Sequence, residues 1–342
     1  MTEVAGRRQS LLSRWVEVLS TTNPPRSGQV DLVSKWLVLT RAAVLPMTLT
    51  AGAVAGLLAV HADGFHAGWF FLAWVGIVLA HVANNLMNDL FDTETGLDTA
   101  AYPRALYAPH PVLTGMISRR GLLAASLVVN LADLAIGVVL FTARGWPVLA
   151  FAVAGFVLSA AYTAPPLRLK KVGLGEPDVF VVWGPLMVGG TYYAAVGSIP
   201  WEVYLASVPY GLLCTAVLMG KHTDKIPWDQ PEGIRTLPVI LGDRWARRVT
   251  QGLMVAFYVT LGACIAVGAL PWTAAIALGA VWTLTRVWSA FNEPRPEGPP
   301  EHWPIWPLWF AGFAFVHTRW AGAWLVLGML IAWPLGIEPT AL

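Results

Sequence analysis

The sequence predicts an all-α polytopic membrane protein with nine transmembrane helices, and three observations carry that expectation. Hydrophobic residues make up 56% of the chain and charged residues 12%, with a mean hydropathy of +0.59, which excludes an ordinary soluble domain. Apolar runs recur at the length a bilayer requires. Finally, 20 of the 22 Lys and Arg fall in the N-terminal arm through Arg41, in loops 91–120, 164–177 and 221–248, and at Arg286 and Arg295, leaving only Arg144 and Arg319. Such an asymmetry assigns those loops to the cytoplasm of a bacterial-type plasma membrane.

Residues 1–34 carry Arg7, Arg8, Arg14 and Arg26 without the apolar core of a signal peptide. Leu11, Leu12, Trp15, Val16 and Leu19 fall at helical spacing, predicting a short amphipathic helix on the membrane surface ahead of a transmembrane domain over 35–342. Spans are expected at 37–60, 69–90, 121–142, 146–163, 178–197, 201–220, 249–269 and 271–290. In the tail, Pro304 and Pro307 interrupt the run from Trp303, and His317-Thr318-Arg319 sets it apart from 320–334. This leaves a surface piece plus one span, or two short spans; one span is the expectation, the ninth. Cys214 and Cys264 lie inside apolar runs and read as reduced core residues. There is no nucleotide-binding glycine loop, and no nucleic-acid partner is expected.

The chemistry concentrates where polar groups interrupt the second span. His81, Asn85, Asn88 and Asp92 are spaced to form one stripe along a helix, with Asp89 about 100° round from Asn88. Gly96 is expected to end that helix and leave Asp98 on a loop. Such amide and carboxylate oxygens suit a hard cation such as Mg²⁺. A second acidic patch, Asp224 and Asp229, follows Met219-Gly220 at the end of the sixth span. Acids from two helices at one depth repel unless cations lie between them, so the two patches outline a clamp for a diphosphate. Asp92, Asp229 and Lys221 are the expected catalytic residues. Arg41, Asn85, Tyr162, Arg168, Lys170 and Lys225 are expected at the substrate, and Asn88, Asp89, Asp92, Asp98, Asp224 and Asp229 at the metal.

A diphosphate at the mouth of a membrane bundle implies a lipid substrate with its tail among the helices. An allylic diphosphate would leave a cation for aromatic faces to shield, with Tyr162, Trp183, Tyr192, Tyr193 and Phe91 as candidates. His81 and His222 are candidate bases or structural histidines. An ion-coupled transporter is the alternative from another class, and it places its acids near the bilayer midplane.

Asn88-Asp89-Leu-Phe-Asp92-Thr-Glu-Thr-Gly96-Leu-Asp98 resembles the first motif (NDxxDxxxGxD) of the UbiA superfamily of intramembrane aromatic prenyltransferases, in the menaquinone-pathway branch, the 1,4-dihydroxy-2-naphthoate polyprenyltransferases. Tyr162-Thr-Ala-Pro-Pro-Leu-Arg168-Leu-Lys170, Gly173-Leu-Gly175-Glu176 and Gly184-Pro185 through Tyr193 resemble the middle segment of that branch. Asp229-Gln-Pro-Glu-Gly233-Ile-Arg-Thr236 resembles the end of its second motif. The likeness covers about 35–335. It implies nine helices around a central cavity with cytoplasmic cap loops, Mg²⁺ held by two aspartate motifs, and transfer of a prenyl group from its diphosphate to an aromatic quinone precursor. A different acceptor, or cyclisation of the prenyl chain, is the alternative within the family. Two departures stand out: Asp224 and Asp229 are one residue further apart than the family's DxxxD, with Pro227 between them and Gly220-Lys221 in place of an Asn pair; and His110-Pro111 stands where the family has Arg-Pro.

Overall fold

The computed structural model describes residues 10–25, 28, 30–94, 110–301 and 303–342, with side chains omitted from Asp92 onward in the helix that ends at Glu94. In chain order the helices are α1 (Leu11–Thr21), α2 (Leu32–Leu39), α3 (Pro46–Ala59), α4 (Ala67–Glu94), α5 (Arg119–Arg144), α6 (Trp146–Thr163), α7 (Gly175–Val196), α8 (Trp201–Asp229), α9 (Leu237–Leu241), α10 (Asp243–Ala266), α11 (Trp272–Phe291) and α12 (Phe310–Ala332). Among the described residues nine of them are long and apolar enough to cross a membrane, with α1, α2 and α9 as the short exceptions and a 3₁₀ turn at Ala42–Val44 extending α3. The protein is an integral membrane protein.

Position in the bundle follows from side-chain burial. In α8, 72% of the most apolar window is buried, against 11% in α5 and 17% in α6, so α8 is the central post and α5 and α6 face lipid on the outside. Around α8 the core joins α3, α7, α10, α11 and α12 through residues such as Val54, Tyr192, Tyr210, Leu213, Phe257 and Leu325. Midway along α7 a π turn, Val182–Leu186, absorbs Pro185, and Gly184 there packs against Ser207 of α8.

The tail departs in detail from the sequence reading. A single helix, α12, runs unbroken through His317-Thr318-Arg319, which therefore separates nothing. Two of the three are accommodated inside the bundle, where the His317 ring meets the Tyr258 hydroxyl at 2.9 Å and Thr318 donates to the Leu213 carbonyl at 3.1 Å, while Arg319 is exposed with its guanidinium 5.0 Å from the Phe315 ring centre. Tertiary partners, invisible in a linear pattern, make the triplet compatible with a span.

At one end of the bundle, Arg144 donates to the carbonyls of Ala194 and Ala195 at 2.9 and 2.7 Å, tying the α5–α6 corner to the end of α7. At the other end lie the termini of α4, α6 and α8 and the starts of α5, α7, α10 and α12. Here α1 docks through Asp31, which caps α2 by accepting from the amides of Val33 and Ser34, receives the Trp15 indole N–H at 3.1 Å and faces Arg14 at 3.7 Å. The Ser34 amide and hydroxyl, together with Trp15 and Val33, hold the Asp31 carboxyl well below the usual carboxylate range. Val18 of α1 is buried while Leu11, Leu12 and Val16 are exposed, as expected for a helix with one face toward apolar surroundings.

Candidate active site

A cavity of about 850 Å³ runs lengthwise between α4, α5, α6 and α7, with α3, α8 and α12 completing its wall. It reaches from Asn88 to Ala73 of α4, about 22 Å of helix. The far end is mostly apolar, walled by Leu140, Val148 and Ala194 with Asp133 and Thr191 as its polar members, whereas Arg41, Asn85, Asn88, Tyr162 and Lys221 gather at the near end.

Those polar residues come from four elements: the turn that precedes α3, and α4, α6 and α8. Arg41 adopts left-handed backbone (φ 53°), a conformation disfavoured for a residue with a Cβ, and its guanidinium pairs with the fully buried Asp89. Asn85 donates to the Thr40 carbonyl at 3.0 Å, fixing α4 against the turn that carries Arg41. The Asn88 amide oxygen accepts from Thr163 at the end of α6. Tyr162 lines the cavity beneath Lys170, whose ammonium lies 6.0 Å from the ring centre. Lys170 and Arg168 (φ 45°) belong to the loop joining α6 to α7, which the bond from the Arg235 amide to the Lys171 carbonyl fastens to the loop after α8.

The two acids of the second patch separate. Asp229 is fully buried, with Lys225 at 3.3 Å. Asp224, expected as a metal ligand, instead receives the first amides of α12: its two oxygens accept from Phe310 and Ala311 at 3.0 and 2.9 Å. Its carboxylate is a helix cap supplied from another element. Gly220, one turn earlier, lets α12 approach; a Cβ there would lie 2.9 Å from the Phe310 carbonyl. Arg295 completes the corner, donating to the carbonyls of Asp224 and Pro307 at 2.7 and 3.0 Å between the rings of Trp228 and Trp306. Burial lowers its guanidinium from the ordinary value, opposed by the charges of Asp224 and Asp243.

Asp98, Gly96 and the Asp92 side chain lie outside the described residues, although the Asp92 backbone continues α4. Among the described residues no three His, Cys, Asp or Glu side chains gather as a metal site. The candidate bases are both anchored. The His81 Nδ1 meets the Thr48 hydroxyl at 2.7 Å and its ring stands edge-on to Trp183, while the His222 Nδ1 meets the Glu176 carboxylate at 2.7 Å with both groups buried. Of the aromatic candidates, Tyr162 and Trp183 line the cavity; Tyr192 is in the core and Tyr193 bonds the Arg144 carbonyl at the far end. Sequence reasoning missed Thr48 and Thr163, whose value lies in their partners. It also missed Asp133 and Asp178, two acids on the cavity wall whose signal was a carboxylate within or beside an apolar run.

A helical membrane bundle with a long apolar chamber and a polar, cation-rich mouth is built to admit a lipid tail and work on its head. The sequence pattern of the UbiA prenyltransferase family matches residues 49–306, and the chain belongs to that family; it is a prenyltransferase. It is 28% identical to 2-carboxy-1,4-naphthoquinone phytyltransferase of Synechocystis over 72% of this chain and 77% of that protein. It is 27% identical to digeranylgeranylglyceryl phosphate synthase of Natronomonas pharaonis over 72% of this chain and 83% of the relative. Among solved structures, a UbiA homologue from Aeropyrum pernix superposes with a TM-score of 0.63 over 84% of this chain and 97% of the other, at 17% identity. A homologue from Archaeoglobus fulgidus bound to GPP and Mg²⁺ gives 0.55 over 86% and 99%, at 16% identity. At these identities the structures speak to the fold.

Proposed function

We propose that this enzyme transfers the prenyl group of a prenyl diphosphate to an aromatic quinone precursor, with the diphosphate bound at the cavity mouth on the cytoplasmic side. The observation that carries the reading is the sorting of polarity along one cavity. Arg41, Asn88, Tyr162 and Lys221 line its near end, Asp89 pairs with Arg41 there, and the far wall is mostly apolar, with Asp133 and Thr191 its polar members. In this reading the diphosphate lies among Arg41, Lys170, Lys221 and Lys225, and the tail occupies the chamber.

The donor chemistry at this end fits Mg²⁺. It offers carboxylate and amide oxygens from Asn88, Asp89 and Asp229, and Asp92 follows Asp89 on the same helix. These four residues would hold it, Asp98 adding a fifth ligand, and it would supply positive charge to the diphosphate as that group departs. Arg41 and Lys221 neutralise the same oxygens from the protein side. Tyr162 and Trp183 present ring faces to the allylic carbon as positive charge develops, and the apolar wall keeps water from capturing it. Relatives in the naphthoate branch and phytyltransferase group favour an aromatic acceptor; the glyceryl phosphate synthase relative is the reason to test a glycerol phosphate beside it.

The test is mass spectrometry of membranes carrying the protein, supplied with geranylgeranyl diphosphate and either 1,4-dihydroxy-2-naphthoate or a glycerol phosphate lipid, with Mg²⁺ or with a chelator. A prenylated naphthalene that forms only with the metal is expected. Product with the glycerol lipid alone, or full turnover under chelation, overturns the reading.

A further inference from the structure

The cavity-facing side of α7 is largely apolar, Val179, Val182, Leu186 and Met187 among its residues; Thr191 lies toward its far end, and its one acid, Asp178, lies at its near end. Its side chain is 7% exposed, and its Oδ1 has no hydrogen-bond partner among the described residues. Burying a carboxylate unsatisfied is costly, so one that persists in an apolar wall marks a place where a polar ligand arrives. Two neighbouring acids have their partners already: Glu176, two residues earlier, faces α8 and meets His222, and Asp89 is paired with Arg41. Asp178 is the fourth residue of α7, about 5 Å into that helix, so it lies slightly deeper than the loop that carries Arg168 and Lys170. That depth is where the carbon end of a bound diphosphate must meet its acceptor.

We propose that Asp178 receives the acceptor: its carboxylate accepts a hydrogen bond from a ring hydroxyl of the aromatic substrate and takes that proton as the ring attacks. The assignment rests on the aromatic-acceptor reading above. In the transfer, the C–O bond of the prenyl diphosphate breaks with its electron pair on the leaving oxygen. A ring carbon ortho or para to the hydroxyl forms the new C–C bond, and the O–H pair becomes the carbonyl of a dienone as Asp178 takes the proton. The ring C–H proton then passes to diphosphate, its bonding pair restores the aromatic ring, and Asp178 returns its proton to the oxygen. The sum is one aromatic C–H and one C–O bond exchanged for one C–C bond and protonated diphosphate.

Full-length protein in lipid nanodiscs, with geranylgeranyl diphosphate as donor, is assayed on 1,4-dihydroxy-2-naphthoate and on its two mono-O-methyl ethers. In Asp178→Asn, turnover of the dihydroxy acceptor falls about 100-fold, the size of a lost general base, while KM for the donor stays within about twofold. Methylating the hydroxyl that Asp178 receives slows the native enzyme about 10-fold or more, but costs the variant under about threefold, because the group that reads the hydroxyl is already gone. Asp178→Glu recovers part of the rate. An unchanged rate in Asp178→Asn, or a rate loss that leaves the methyl-ether penalty intact, overturns the assignment and leaves the aromatic reading standing. A native enzyme inactive on all three acceptors overturns both. Should Asp178→Asn not assemble, Asp178→Ser gives the same penalty comparison.

Discussion

Asp224 and Asp229 show how one residue of spacing decides a side chain's fate. Four residues apart, two acids share a helix face; five apart, they diverge by about 140°, and α8 accordingly turns Asp224 to the start of α12 while Asp229 meets Lys225. The two substitutions should therefore fail differently. Asp229→Asn, which keeps the volume of the buried side chain, is expected to lower kcat at least about 100-fold, roughly 2.7 kcal/mol, with a smaller drop in the melting temperature of the purified protein than Asp224→Ala shows. Asp224→Ala should cost about 1–2 kcal/mol of stability through the lost cap and lower the melting temperature first. Equal catalytic loss without destabilisation in Asp224→Ala would return that residue to the metal site. The sequence could show that both acids lie near the end of a span, because hydropathy is local. It could not show which would be taken by a helix 86 residues further on, because that choice is tertiary. Asp178 was passed over for a related reason: at the start of an apolar run an acid reads as an ordinary first-turn residue, and only the cavity reveals which way it faces.

Among the elements, α12 and α1 close the mouth by different means. The start of α12 is fixed by close packing on Gly220 and by the Asp224 cap, so Gly220→Ala should destabilise by about 1–3 kcal/mol as an overpacked contact, visible as a lower melting temperature and as exposure of the 303–309 segment to protease. Docking of α1 combines burial of Val18 with the polar contacts of Asp31 to Trp15 and Arg14. The Asp31 carboxyl titrates below the ordinary range, held there first by the Ser34 amide and hydroxyl and to a smaller extent by the Trp15 N–H of the docked α1. The contribution is therefore complete above the unfolded value of about 3.9 and is lost as pH falls below it. The protection factor of the Leu11–Thr21 amides, the slowing of their exchange relative to unstructured chain at the same pH, should be higher at neutral pH than below about pH 3.9; in Asp31→Asn it should be low at both, and a pH-independent protection factor in the native protein would exclude this anchor. The helices themselves were legible from span length; α12 needed correction because His317 and Thr318 find partners on α10 and α8, and α8 runs on through Asp229 where the sequence reading has a loop from 221.

For the whole molecule, the proposed placement of the tail in the chamber predicts selectivity for tail length. Its outer wall is α5 and α6, the least buried of the spans, so substitutions there can change the cavity without breaking the α8 core. Gly155 of α6 lines the cavity, and a Cβ built on it meets nothing within 4 Å. It lies seven residues before Tyr162, about 10 Å further from the mouth. Gly155→Leu improves helix propensity by most of the roughly 1 kcal/mol that glycine costs, so the fold should hold while the branched side chain fills the chamber beyond the first part of a bound tail. The expected outcome is a change in preference: kcat/KM for geranylgeranyl diphosphate falls about 10-fold, about 1.4 kcal/mol, whereas geranyl diphosphate, whose shorter chain stops before the block, is used as well as before. Equal loss with both donors would mean that the tail does not follow α6 and leaves the mouth by another route. Loss with neither would place it outside the cavity altogether.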